Sequence, residues 1–144
     1  MKHILLIVSL ILLLFSCGRK NKKEVIYTDK APKPIGPYSQ AVRSGGTLFV
    51  SGQIALKTDG SFDTSSIETE TKQVLENIKV IVESAGMTMG DVTKATIYLK
   101  DLKNFSKVNE VYKTYFVADP PARETVEVKG LPKGAHVEIS VVAK

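Results

Sequence analysis

Only two stretches of this chain carry apolar residues at helical spacing, and the other regular segments read as strands. Ile67, Thr71, Val74, Leu75, Ile78, Val82 and Ala85 fall on one face of a helix, and Phe105, Val108, Val111, Tyr112, Tyr115 and Phe116 repeat the pattern. The first helix is predicted to open at a capping box of Ser65 and Glu68 and to stop at Gly86, where a left-handed cap needs a residue without Cβ. The second follows a turn at Asp101 to Asn104 and ends before Asp119-Pro120-Pro121, because proline offers no N–H to extend it. β-prone runs lie at Val25–Thr28, Ser39–Arg43, Thr47–Ser51, Val92–Leu99, Glu124–Val128 and Ala135–Ala143. Ser44-Gly45-Gly46 predicts a hairpin between the second and third runs, and the Lys129-to-Gly134 turn predicts another between the last two. This order indicates an α+β domain: one mixed β-sheet with two helices packed on a single face.

Two helices leave the other face of the sheet uncovered. In the last strand Val137, Ile139 and Val141 alternate with His136, Glu138, Ser140 and Val142, so the uncovered face is half apolar and contains an acid. Such a face is expected to be buried against a second copy in a symmetric oligomer, with polar clefts at the seams.

Ahead of the body runs an apolar segment from Ile4 to Phe15, broken only by Ser9, preceded by Lys2 and closed by Leu14-Phe15-Ser16-Cys17. It is short for a membrane span and has the length of a signal-peptide core. Leu at −3 and Ser at −1 before Cys17 resemble the lipobox of bacterial lipoproteins. We therefore expect residues 1–16 to be a signal peptide, 17–23 the lipidated Cys17 with a basic tether, and 24–144 the folded domain. Acyl chains on the thiol and on the new amino terminus satisfy the two-signal requirement for stable anchoring. The expected location is the bacterial cell envelope, facing the periplasm or exterior, with the membrane touched through the lipid alone. An ordinary secretory signal or an uncleaved anchor is the alternative.

Charge and cysteine usage exclude several activities. The net charge is +5, but five of the 20 basic residues fall within residues 1–23, leaving 15 against 15 acids. A neutral body argues against a nucleic-acid partner. Cys17 is the only cysteine and His136 the only histidine after the leader, so the body offers no disulfide, cysteine nucleophile or His/Cys metal cluster. No nucleophile-elbow motif supports a Ser51/His136 pair, and His136 reads as a strand-surface residue.

Five motifs follow in order across Val25 to Lys144: Ile35-Gly36-Pro37-Tyr38-Ser39-Gln40, Val50-Ser51-Gly52-Gln53, Asn77 through Ala85-Gly86, Pro121-Ala122-Arg123 and Val137-Glu138-Ile139. Together they resemble the Rid (YjgF) family of imine/enamine deaminases. The resemblance implies a fold like bacillus-type chorismate mutase and a homotrimer with sites between neighbouring subunits. It also implies hydrolysis without cofactor or metal. The substrates it implies are imine/enamine carboxylates of the 2-aminoacrylate and 2-iminopropanoate type, giving a 2-oxo acid and ammonia.

On this resemblance Arg123 grips the substrate carboxylate with two parallel hydrogen bonds, the geometry a guanidinium suits. Glu138 handles the attacking water and relays its proton. Tyr38 is a site tyrosine, Ser51 hydrogen-bonds the substrate, and Gly52 admits the substrate carboxylate to a backbone amide. Asn109 has two readings, a substrate contact or a loop brace. Tyr112 packs at the subunit seam. Thr125 stands where some relatives have cysteine, and the loop before Pro120 is short. A different class remains open: a non-catalytic small-ligand or protein-binding trimer on the same scaffold.

Overall fold

The computed structural model describes residues 22–144; the expected signal peptide, Cys17 and most of the tether lie outside the described residues. Strand pairing begins at the tightest turn. Gly45 (φ 60°) and Gly46 (φ 81°) take the two left-handed positions of a two-residue hairpin loop, which joins β2 (Ala41–Ser44) to β3 (Thr47–Gln53). Strand β1 (Glu24–Ile26) adds to β2, and β6 (Val137–Ala143) pairs antiparallel with both β3 and β4 (Val92–Leu99). With β5 (Ala122–Glu127) at the far edge, the six-stranded order is β1-β2-β3-β6-β4-β5.

The predicted hairpin of the last two strands does not form. β5 pairs with β4, in parallel, and β4 separates it from β6. The reason is the intervening helix: β4, helix and β5 make a crossover unit, whose two strands run in the same direction.

Helix α1 (Ile67–Ser84) starts one residue later than expected, since the Ser66 hydroxyl, not Ser65, accepts the Thr69 N–H at 3.1 Å. Glu68 instead pairs with Lys107 of the second helix. Gly86, at φ 73°, stops α1 as expected. Helix α2 (Phe105–Tyr112) is shorter than its periodicity, because the chain turns after Tyr112 while Phe116 still folds back onto the Tyr112 ring at 4.5 Å.

Val74, Leu75, Ile78, Ile81 and Val82 of α1 pack with Leu48, Val50, Ala95, Ile97, Ile139 and Val141 in one buried core. Each large side chain so buried contributes about 1.5–3 kcal/mol. Two buried polar residues tie the layers together. Glu70 accepts the backbone N–H of His136 at 2.7 Å and pairs with its Nδ1 at 3.0 Å. His136 is thus more than a strand-surface residue; it anchors the entry of β6 to α1. Asn77 donates to the carbonyls of Ile54 and Leu56, pinning the segment that leaves β3.

The other face of the sheet carries Phe49 and Val126, both exposed, with Val42, Tyr98 and Val142 partly buried. Among the described residues, no helix is long and apolar enough to cross a membrane.

Candidate active site

The site is built around an extra residue in β3. Val50 faces Val141 and Gln53 faces Ile139, so three steps on β3 oppose two on β6, and Ser51-Gly52 forms a bulge. A bulge bends the strand and redirects its side chains. Here it brings the Gly52 backbone against Glu138: a Cβ at position 52 would lie 1.9 Å from Glu138 Oε1. The absence of a side chain at position 52 thus makes room for the Glu138 carboxylate.

A loop from Thr28 to Gln40 forms the opposite wall. Gln40 is 2% exposed; its Oε1 accepts the Thr28 N–H, and its Nε2 donates to the carbonyls of Thr28, Ala31 and Pro32. This clamp fixes the Pro-rich segment that presents Ile35 and Tyr38. The Tyr38 phenol accepts the Ile35 N–H at 3.2 Å, and Ser51 Oγ donates to Ser39 O at 2.7 Å. The resulting cleft, about 270 Å³, is lined by Ile35, Tyr38, Ser51, Gly52, Ile54, Pro132 and Glu138. Burial in it raises the Glu138 carboxyl above its ordinary range, the direction a group that holds and returns a proton requires.

Arg123 lies elsewhere. In the β4–β5 register it stands opposite Ala95, whose side chain is buried beneath the helices, whereas Glu138 stands opposite Tyr98 on the uncovered face. The two residues therefore occupy opposite faces of the sheet within one chain. The Arg123 guanidinium lies over two rings of α2, 4.8 Å from the Tyr112 centroid and 5.7 Å from that of Phe105. Asn109 follows Phe105 by four residues and precedes Tyr112 by three, which places it on the same face of α2.

Two separate clusters result. Tyr38, Ser51, Gly52 and Glu138 converge on one; Arg123 and the Asn109 face of α2 form the other. Tyr112 is interior, at 5% exposed, and packs within its own chain. A larger hollow of about 640 Å³, between α1 and α2, contains none of the candidate site residues named from sequence. Sequence reading missed Gln40, Ile54, Pro132 and Phe105. Gln40 sits inside one of the quoted motifs, and a polar residue in a Pro-rich segment was the available signal.

A sheet of this order, two helices on one face and a carboxylate cleft opposite, define a class of small α+β proteins. The chain belongs to the Rid/RutC family: the family described as Endoribonuclease L-PSP matches residues 28–144. A RutC family protein from Pyrococcus horikoshii is 54% identical over 123 residues, covering 84% of this chain and 97% of that protein. The 2-iminobutanoate/2-iminopropanoate deaminase of Mus musculus is 43% identical over 122 residues, covering 84% of this chain and 90% of its own. Among solved structures, E. coli TdcF with bound serine superposes at a TM-score of 0.80 with 40% identity, covering 83% of this chain and 97% of that one.

Proposed function

We propose that this protein hydrolyses imines and enamines of small 2-oxo acids to the 2-oxo acid and ammonia, at sites completed between copies of the chain in a homotrimer. The observation that carries this reading is the division of the site. Glu138 waits in a cleft without a cationic anchor, and Arg123 stands on the opposite face without an acidic partner among the described residues. A neighbouring copy seated on the half-apolar open face would supply the missing half. The likeness to a mouse deaminase supports the chemistry, and the neutral body disfavours RNA as substrate.

In the proposed reaction Arg123 of one copy holds the substrate carboxylate, and Glu138 of the next takes a proton from water as its oxygen attacks the imine carbon. The C=N π pair moves to nitrogen, which receives the proton from Glu138, giving a carbinolamine. Glu138 then relays the hydroxyl proton to the amino nitrogen as the C–N bond breaks, the C=O forms and ammonia leaves. An imine carbon is already electrophilic, so placement and proton relay are sufficient.

The test couples amino-acid oxidation to imine loss. Wild type should release ammonia at full rate, and Arg123→Ala and Glu138→Gln should each be inactive. In a trimer that mixes the two, one site of three combines both intact residues, so a randomly assembled equimolar mixture should recover about a quarter of wild-type activity. Inactivity of wild type on every imine would leave the non-catalytic binding trimer as the reading. Absence of recovery in proven hybrids would place both residues in one chain's site.

We further propose that Cys17 is lipidated and holds the domain at the cell envelope, on the strength of the lipobox-like Leu14-Phe15-Ser16-Cys17. Incorporation of a fatty-acid analogue into wild type but not Cys17→Ser tests it. An unlabelled, cytosolic product refutes it.

A further inference from the structure

Arg123 differs from the paired cations of the sheet. Arg43 and Lys94 sit near Glu24 and Glu124, whereas no carboxylate pairs with Arg123 among the described residues. Its neighbours are the rings of Phe105 and Tyr112, both supplied by α2 and separated by seven residues along the helix. The two rings differ in freedom. Tyr112 is 5% exposed and held in turn by Phe116, while Phe105 is 39% exposed at the edge of the Arg123 cluster.

Attraction to a ring acts through the guanidinium's charge and planar face, and it leaves the N–H edge available for hydrogen bonds. A long arginine side chain on an edge strand otherwise samples many rotamers and loses that freedom when it grips a ligand. Rings that hold it in place move that cost from binding to folding.

We propose that Phe105 and Tyr112 are positioning residues that hold the Arg123 guanidinium with its donor edge presented to an incoming carboxylate. The inference rests on the proposed carboxylate-anchoring role of Arg123. The hydroxyl of Tyr112 is buried and has no hydrogen-bond partner among the described residues, so the ring rather than the oxygen explains its place beside Arg123.

Because the rings act on binding and not on the water at Glu138, their loss should separate KM from kcat. Phe105→Leu should raise KM for the imine about tenfold and weaken binding of 2-oxobutanoate, measured by calorimetry, by a similar factor, with kcat within about twofold of wild type. Tyr112→Phe keeps the ring and should recover most of what Tyr112→Leu loses. Should Tyr112→Leu not fold, Phe105→Leu decides, its side chain being partly exposed. Unchanged KM and 2-oxobutanoate affinity in folded Phe105→Leu, or a fall in kcat alone, overturns the proposal. A wild type that deaminates no imine but binds 2-oxobutanoate refutes the deaminase reading while leaving the calorimetry to decide the positioning role.

Discussion

Replacing Gly52 with alanine tests whether the placement of Glu138 matters separately from its chemistry. The new Cβ would stand 1.9 Å from Oε1, 2.8 Å from Cδ and 3.1 Å from Cγ of Glu138. Reaching an ordinary contact of 3.4 Å from 1.9 Å takes a shift of about 1.5 Å in the carboxylate oxygen. The atoms in the way belong to the end of a flexible side chain, and Gly52 is not among the glycines with positive φ, so the backbone accepts alanine. Folding should therefore be unharmed; the lower entropy of the unfolded chain contributes about 0.4–1 kcal/mol in favour of the variant. Catalysis should not be spared. Misplacement of a reacting group by about 1 Å costs on the order of 100-fold, or about 2.7 kcal/mol in the barrier. Ammonia release in the oxidase-coupled assay should fall by that factor while Tm stays level or rises. The acid limb of the pH–rate profile should also move down, because a displaced carboxylate loses the burial that raises it. Wild-type kcat in Gly52→Ala would refute the role assigned to this contact, and a steep loss of Tm would refute the claim that only the carboxylate moves.

Further outcomes follow from the same geometry. Arg123→Ala should lower kcat/KM by about 100-fold or more while costing about 1–2 kcal/mol of unfolding free energy for the lost ring contacts, and Arg123→Lys should recover little activity because an ammonium cannot bind a carboxylate bidentately. Gln40→Ala leaves one part-buried N–H and three carbonyls without their partner, so urea unfolding should show a loss of about 2–4 kcal/mol, with increased mobility of Tyr38 by NMR. Glu138→Gln addresses stability as well as activity. Burial raises the folded carboxyl above its unfolded value, so the native state binds more protons and wild type loses stability as pH rises through that interval. The glutamine variant should accordingly be inactive but have a higher Tm than wild type at neutral pH, the difference closing below the ordinary carboxylate range. An equal gap at acid and neutral pH would contradict that assignment.

Sequence periodicity determined the fold class, both helices, the left-handed stop at Gly86 and the alternation that puts Val137, Ile139 and Val141 inside, because each depends on residues close along the chain. Motif order determined the family. The parallel partner of β5 was not legible: the turn at Lys129 to Gly134 resembles a hairpin turn, and only packing of α2 across the sheet decides that β4 lies between the last two strands. Buried Glu70 and Asn77 were equally opaque, since an isolated polar residue gives no local sign that distant backbone groups will satisfy it. The candidate site shows the same divide. Arg123 and Glu138 could each be picked out by motif, but their opposite faces follow from cross-strand register, and the contact between Glu138 and Gly52 from one extra residue in β3. Side-chain identity is written along the chain, whereas the side of a sheet on which two distant residues emerge is fixed only when the strands pair.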